Sequence, residues 1–167
     1  MFKLAIGKKS LLFGVHQFLW HPYTVYRAWK HLYGTPNFKE LVCIFIHDWG
    51  YWICTDIDGE TGIRHPELGA KIAGKLFGQK YYELVLYHSR YCAKEAGQSP
   101  SKLCWADKLS IRYEPRWWYL FRARLSGEIK EFRKNAVDYI PFEAKDSEWF
   151  EWLKVNFIKV SSDNTIK

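Results

Sequence analysis

The chain has 167 residues, enough for one domain with a buried core, and its 48% hydrophobic and 26% charged residues are ordinary for a globular protein. Its net charge of +7 is spread along the chain without a block of about five or more Lys or Arg, which argues against a stable nucleic-acid partner and favours a phosphorylated small molecule; a purely solubilising role is the alternative. The apolar residues 11–20 are too few for a membrane span, and because they hold His16 and Gln17 and lack a small-residue cleavage site, we expect neither a membrane anchor nor a signal peptide.

Helix signals begin with the segment 23–33. Pro22 precedes it and Gly34 follows it, and proline at the start and glycine after the end are typical of helices. Asn37 predicts the start of a second helix, because Glu40 follows three residues later, as in a capping box. This second helix is apolar nearly all round and ends at the string HDWG, which predicts a central position in the fold.

The same punctuation by proline and glycine continues along the chain, with a loop at 55–64. Further helices are predicted at 65–78, 81–96 and 99–113, and within the aromatic-rich residues 114–160. Strand patterns do not recur. We therefore predict an all-α fold, a single-domain bundle of about six to eight helices over residues 1–167, with its core at about 15–113 and the helices of 114–160 packed on that core.

The four cysteines do not form a disulfide or metal-binding framework in the sequence. No two of them stand in a CxxC pair. Cys43, Cys92 and Cys104 fall inside helical patterns, where a free thiol is usually a small apolar side chain. We therefore expect a reducing environment and a cytoplasmic location.

Histidines and aspartates recur at the ends and on the faces of successive predicted helices. The candidate metal ligands are His21, His47, Asp48, His65, His88 and Asp107. Imidazole and carboxylate groups are the usual ligands of zinc, iron and manganese. Six of them could hold two ions, with Asp48 as the bridge because a carboxylate has two oxygens, and paired metals suit phosphoryl transfer. Each residue taken singly is more often structural, so the hypothesis depends on the set.

Two strings carry a family resemblance. CIFIHDWG is an apolar helix ending in His-Asp, and LCWADKLS is a later helix with Ala-Asp-Lys. Together with the preceding His21, they resemble the HD superfamily of metal-dependent phosphohydrolases over roughly residues 15–113. The resemblance implies that His21, His47, Asp48 and Asp107 bind one metal. It also implies that two later histidines, His65 and His88, match the subset of the family with a dinuclear site, and that the helical bundle is of the HD type.

Within this superfamily, the spacing between His88 and Asp107 is similar to that of the dinuclear branch that includes symmetrical diadenosine tetraphosphate hydrolases. Other branches carry HD-x-G-K, with the lysine near the substrate. This chain has Tyr51 at that position, which either donates a hydrogen bond to a phosphate or packs. His16, five residues before His21, is the rival for the first ligand position; we prefer His21 because HPYTVYRAW resembles the family's histidine followed by an apolar helix.

Cationic side chains close to the ligands in the sequence are candidates for phosphate binding. Besides Tyr51, the candidate substrate-binding residues are Arg64, Arg90, Lys94 and Lys108. A solvated helix face is the plainer interpretation of each. Arg90 and Lys94 are favoured because like charges four residues apart on a helix repel each other mildly, and an anionic ligand would relieve that repulsion.

The segment 112–124 interleaves four arginines with five aromatic residues. Aromatic rings stack on bases and arginine binds phosphate through two parallel hydrogen bonds, so the segment could form the base-recognition wall of a nucleotide pocket. A homodimer interface and the outer part of the core are the alternatives.

These observations predict a metal-dependent phosphohydrolase that cleaves a phosphate ester or anhydride of a nucleotide-like substrate with metal-activated water. His47 and Asp48 stand at the catalytic centre, and the cofactor is two divalent transition-metal ions, Fe, Mn, Zn or Co. One alternative is the related HD branch of mixed-valent di-iron oxygenases, which shares the four-His, two-Asp pattern. The other is a non-catalytic protein that binds a nucleotide or a protein partner.

Overall fold

The computed structural model describes residues 4–165, so residues 1–3 and 166–167 of the predicted domain lie outside the description. Within that range the chain forms helices and no strand, which confirms the all-α prediction. The α-helices are α1 (Ile6–Phe13), α2 (Trp20–Tyr33), α3 (Phe38–Ile46), α4 (Pro66–Phe77), α5 (Gln79–Leu86), α6 (Arg90–Glu95), α7 (Lys102–Leu109), α8 (Arg116–Ser126), α9 (Glu128–Asn135) and α10 (Asp146–Thr165). Short 3-10 segments lie at Trp49–Ile53, Gly62–Arg64 and Ser110–Tyr113.

The described range holds ten α-helices rather than six to eight, and one reason lies in the predicted helix 81–96. That helix is two, because α5 ends at Leu86 and α6 begins at Arg90. Ser89 separates them: its side chain accepts the backbone N–H of Cys92 and so caps α6. A serine hydroxyl that bonds to the backbone in this way favours a new helix start over a continuous helix. His88 therefore lies between two helices. The prediction that it lies inside the helix 81–96 is wrong.

The N-terminal helices differ from prediction in their starts. An unpredicted α1 precedes α2, and α2 begins at Trp20, so that Pro22 lies inside its first turn, where no helical N–H partner is lost. The capping box of Asn37 and Glu40 at the start of α3 is confirmed. The predicted helix 99–113 is the shorter α7 followed by a 3-10 segment.

Two large apolar clusters form the core. The first lies among α2, α3, α4, α5 and α7 and includes Trp29, Ile44 and Leu103. The second lies among α8, α9 and α10 and includes Trp149 and Phe150. Helix α10 contacts both α7 and α8, so the helices of 114–160 pack on the preceding bundle. In the described part of the chain, no helix is both long and apolar enough to cross a membrane.

Two glycines bring the end of α3 against the start of α4. A Cβ on Gly50 would overlap the backbone carbonyl of His65, and a Cβ on Gly69 would overlap that of Ile46. Because both positions lack a side chain, the His47-Asp48 turn and His65 can lie against each other. The glycine in HDWG is therefore a packing requirement.

Candidate metal centre

The structure brings all six predicted ligands to one place, although they belong to five separate stretches of chain. His21 lies in the first turn of α2, and His47 and Asp48 follow the last residue of α3. His65 immediately precedes α4, and Asp107 lies within α7. His88 completes the cluster from the break between α5 and α6. Most of these side chains are buried, while those of His65 and Asp107 keep partial access to solvent, 13% and 26% exposed.

The carboxylate of Asp48 stands between two pairs of histidines. Its Oδ2 lies 3.2 Å from Nε2 of His21 and 3.2 Å from Nε2 of His47. Its Oδ1 lies 3.3 Å from Nε2 of His65 and 3.4 Å from Nε2 of His88. An oxygen of Asp107 adds to the first half, 3.1 Å from Nε2 of His21. Each carboxylate oxygen of Asp48 thus belongs to a different half of the cluster.

Three of the imidazoles are oriented by their own backbone. Nδ1 of His47, His65 and His88 lies 2.7, 2.6 and 2.5 Å from the carbonyl oxygen three residues earlier in the chain. A carbonyl accepts only, so each Nδ1 carries a proton and Nε2 is the ring nitrogen that faces the cluster. Nε2 of His65 and Nε2 of His88 lie 3.0 Å apart, a separation that suits two ligands of one metal ion.

The donor atoms fit a metal better than they fit one another. Among the residues that the structure describes, Nε2 of His21, Nε2 of His47 and Oδ2 of Asp48 are buried and make no hydrogen bond. Buried polar atoms are rarely left without a partner. Ligand atoms about 2.1 Å from a common ion lie about 3.0 Å apart in an octahedral site and about 3.4 Å apart in a tetrahedral site. The separations across the cluster, 3.1–3.4 Å, fall in that interval, so these residues could hold metal ions.

Electrostatics within the cluster follow from two carboxylates and four imidazoles in a buried space. Burial lowers the pKa of His21, but the carboxylates of Asp107 and Asp48 outweigh it and raise the pKa to about 10. Burial, together with His47 and His65, lowers the pKa of His88 to about 4. Burial raises the pKa values of Asp48 and Asp107, yet the surrounding imidazoles bring both below the ordinary range. Both carboxylates are therefore ionised, as metal ligands must be.

A shell of aromatic and charged groups supports the ligands. Tyr51 is buried, and its ring stacks on that of His65 with centroids 4.2 Å apart and an interplanar angle of 8°. His16, the rival for the first ligand position, lies outside the ligand set: its Nδ1 is 3.2 Å from the buried carboxylate of Glu128 and 2.8 Å from Ser10. Sequence reasoning missed this support, because Glu128 is more than a hundred residues away and carries no local signal.

A cavity of about 480 Å³ opens from the cluster. Of the predicted substrate-binding residues, Tyr51, Arg90 and Lys108 line it. Arg64 and Lys94 are not among its lining residues. Arg64 is exposed and pairs instead with Glu67 at 3.0 Å and Glu95 at 3.6 Å, so its charge is already balanced. The two members of the predicted like-charge pair on α6 differ in position: Arg90 lines the cavity, whereas Lys94 is exposed to solvent away from it.

The aromatic segment 112–124 contributes less to this cavity than its composition suggested. Tyr119 lines the cavity, whereas Trp117 and Phe121 are 72% and 53% exposed on the outer face of α8. Arg122 is buried and bonds to Glu114 at 2.7 Å. The aromatic lining comes mainly from α9, α10 and the residues between them, which sequence reasoning had not singled out.

Comparison of the chain with protein-family models, with curated proteins and with solved structures found no match. The chemistry of the site must therefore be inferred from its own geometry. That geometry is a mostly buried cluster of four imidazoles and two carboxylates centred on Asp48, beside a cavity large enough for a small organic ligand.

Proposed function

We propose that this chain is a metal-dependent phosphohydrolase that cleaves a phosphate ester or anhydride of a nucleotide-like substrate. One observation carries the proposal: the two oxygens of Asp48 each face a separate pair of imidazole Nε2 atoms, at 3.2–3.4 Å. A carboxylate shared in this way suits two ions a few ångströms apart, the arrangement used by many phosphoryl-transfer enzymes. The order of the ligands along the chain, which resembles the HD superfamily, supports the same conclusion.

The ligands divide between two positions. His21, His47, Asp107 and Oδ2 of Asp48 would hold one ion, and His65, His88 and Oδ1 of Asp48 the other. When bound, the two ions would activate a water and neutralise charge on the phosphoryl oxygens. The set is nitrogen and oxygen only, which suits Fe, Mn, Co or Zn.

The remaining residues of the cavity orient the substrate. Lys108 follows the ligand Asp107 in the chain, and its Nζ lies 4.6 Å over the ring of Phe157, where it can contact a phosphate held at the cluster. Arg90 is exposed at the cavity and supplies a second cation. Tyr51 has its pKa raised by burial and by Asp48, so it stays a neutral phenol that stacks on His65 and fixes that ligand.

The test is metal content and phosphate release in matched variants. The protein is loaded with Mn, Fe, Co or Zn and assayed on a panel of phosphate esters and anhydrides. His88→Gln removes one imidazole of the second position and should lower activity by more than about 100-fold, since partners outside a ligand set already cost about 10–100-fold. His31→Gln, an exposed histidine on α2, is the control and should retain full activity and metal.

Two results of the assays would contradict the proposal, and a third result, given last, would replace it with a non-catalytic role. One is phosphate release at the same rate in wild type and His88→Gln. The other is substrate turnover that requires dioxygen, with an electron paramagnetic resonance signal of a mixed-valent di-iron centre, which would favour the oxygenase alternative. A purified protein with no metal and no turnover would favour the non-catalytic alternative.

A further inference from the structure

The lining of the cavity combines two sets of side chains of different chemistry. One set, here called the cluster end, consists of five of the six predicted metal ligands together with Lys108 and Arg90. The other set, here called the aromatic end, comes from the C-terminal third of the chain: Tyr119, Phe132, Tyr139, Trp149, Trp152 and Phe157. The two sets meet where Nζ of Lys108 lies 4.6 Å over the ring of Phe157. Hydrolysis at the cluster does not by itself require the aromatic set.

Two of the aromatic pairs present parallel surfaces. Tyr139 and Trp152 have ring centroids 5.8 Å apart at an interplanar angle of 24°, and Phe132 and Trp149 have centroids 6.0 Å apart at 12°. Each pair is stacked ring on ring, Phe132 and Trp149 within the second core cluster, and gives the lining a flat aromatic wall. Stacking on aromatic side chains is the usual way that proteins hold a base.

Outside the predicted metal ligands, two buried polar atoms of the lining residues lack partners in the described part of the chain. Trp149 is 1% exposed, and its Nε1–H has no acceptor. Glu114 is 4% exposed, and its Oε1 has no donor, although its Oε2 accepts from Arg122 and from Trp20. Buried polar atoms are normally satisfied, so a donor and an acceptor left in one cavity point to a ligand that carries the complementary acceptor and donor.

The charge of the lining limits the number of phosphates. Among the described lining residues, Lys108 and Arg90 are the cations besides the histidines, and Asp58 and Glu114 are acidic groups outside the ligand set. Polyphosphate sites surround the extra phosphates with further Arg, Lys or backbone N–H groups. This cavity offers enough positive charge for the group bound at the cluster and little beyond it.

We propose that the cavity binds a nucleoside monophosphate, with the phosphate at the metal cluster and the base against the aromatic side chains, where Trp149 Nε1–H donates to it and Glu114 Oε1 accepts from it. This inference rests on the proposed function for the group that reacts. It replaces the dinucleoside polyphosphate suggested by the nearest family branch with a smaller substrate that carries one phosphate.

The test separates recognition of the base from hydrolysis. Calorimetry measures binding of the free nucleosides, which cannot be hydrolysed here, to metal-loaded protein. Steady-state assays compare kcat/KM for the nucleoside monophosphates, ribose 5-phosphate and the nucleoside triphosphates. Trp149→Phe removes the N–H and keeps an aromatic ring, and Trp117→Phe on the outer face of α8 is the control.

We expect Trp149→Phe to weaken nucleoside binding by roughly 3–10-fold, the loss of one hydrogen bond, and to leave kcat/KM for ribose 5-phosphate unchanged. Trp117→Phe should change neither. Should Trp149→Phe fail to fold, Trp152→Leu removes a stacking surface at a partly exposed position and should weaken nucleoside binding in the same selective way. Equal kcat/KM for ribose 5-phosphate and every nucleoside monophosphate, or a preference for triphosphates, would overturn the inference. Nucleoside binding that depends on Trp149 without any phosphate release would support this inference and refute the proposed function. Phosphate release without a preference for any base would support the proposed function and refute this inference.

Discussion

At the cluster end of the cavity, three of the four imidazoles are held by carbonyls three residues earlier in the chain, whereas the aromatic end is assembled from residues 119–157 by contacts between separate helices. The orientation of these imidazoles is local, because each ring donates to a backbone carbonyl only three residues earlier in the chain. The aromatic end depends on how α9 and α10 fold back on α7 and α8. We therefore expect that hydrolysis at the cluster and binding of the base at the aromatic end can be changed independently by mutation.

The largest effect is expected at the bridge of the cluster. Asp48→Asn keeps the size of the side chain but replaces the shared carboxylate, so both halves lose a charged ligand. We expect phosphatase activity to fall by more than about 100-fold while free nucleosides still bind. Phosphate release measured beside nucleoside calorimetry checks this. If both properties are lost together in a folded protein, the two ends of the cavity are not separable.

The next effect concerns stability on the aromatic side. Arg122 and Glu114 form a buried pair at 2.7 Å, and the guanidinium also donates to the carbonyls of Gly14 and Val15. Arg122→Met leaves the carboxylate uncompensated and should lower the free energy of unfolding by about 3–5 kcal/mol. Chemical denaturation measures the loss.

The matched control is Arg124→Met on the same helix. Arg124 pairs with Asp146 at the exposed surface, and such pairs contribute less than about 1 kcal/mol. Equal destabilisation by the two variants would show that the buried pair does not hold this region.

A smaller loss of stability is expected where Gly50 packs against His65 beside the cluster. Gly50→Ala places a Cβ on the carbonyl of His65, and the backbone must shift. We expect a loss of about 1–3 kcal/mol of stability together with loss of metal from the half that contains His65. Gly34→Ala, strained through its φ of 81° but remote from the cluster, should lose stability and retain metal. Full metal content in Gly50→Ala would contradict the role assigned to this glycine.

The smallest effect on activity is expected at Lys108, which lies between the cluster and the ring of Phe157. Lys108→Ala removes the cation beside the cluster and should lower kcat/KM by about tenfold for all phosphate substrates alike, since charge-assisted hydrogen bonds contribute modestly. Lys102→Ala on the same helix is exposed and should have no effect. A change confined to one nucleoside would assign Lys108 to the base and not to the phosphate.

The six residues proposed as ligands from the sequence lie together in the structure, whereas most of the aromatic residues that line the cavity were not singled out from the sequence. These six residues sit at or near helix ends, and helix ends are marked locally by residues such as Pro22, Asn37 and Gly78. Even there, His88 was assigned to a helix interior because the cap formed by Ser89 interrupts an otherwise continuous apolar pattern.

The aromatic end could not be predicted in this way. Trp149 and Trp117 are both tryptophans on helices, yet one is 1% and the other 72% exposed. The difference arises from contacts between elements far apart in the chain, and composition alone offered residues 112–124 as one candidate for the wall. The pairing of His16 with Glu128 was missed for the same reason.

Anomalous diffraction from crystals of the protein carrying its native metal tests the central claim most directly. We expect two peaks a few ångströms apart, one beside His21, His47 and Asp107 and the other beside His65 and His88, with the carboxylate of Asp48 between them. Crystals with no anomalous peak at the cluster, or with a metal bound elsewhere on the chain, would contradict that claim.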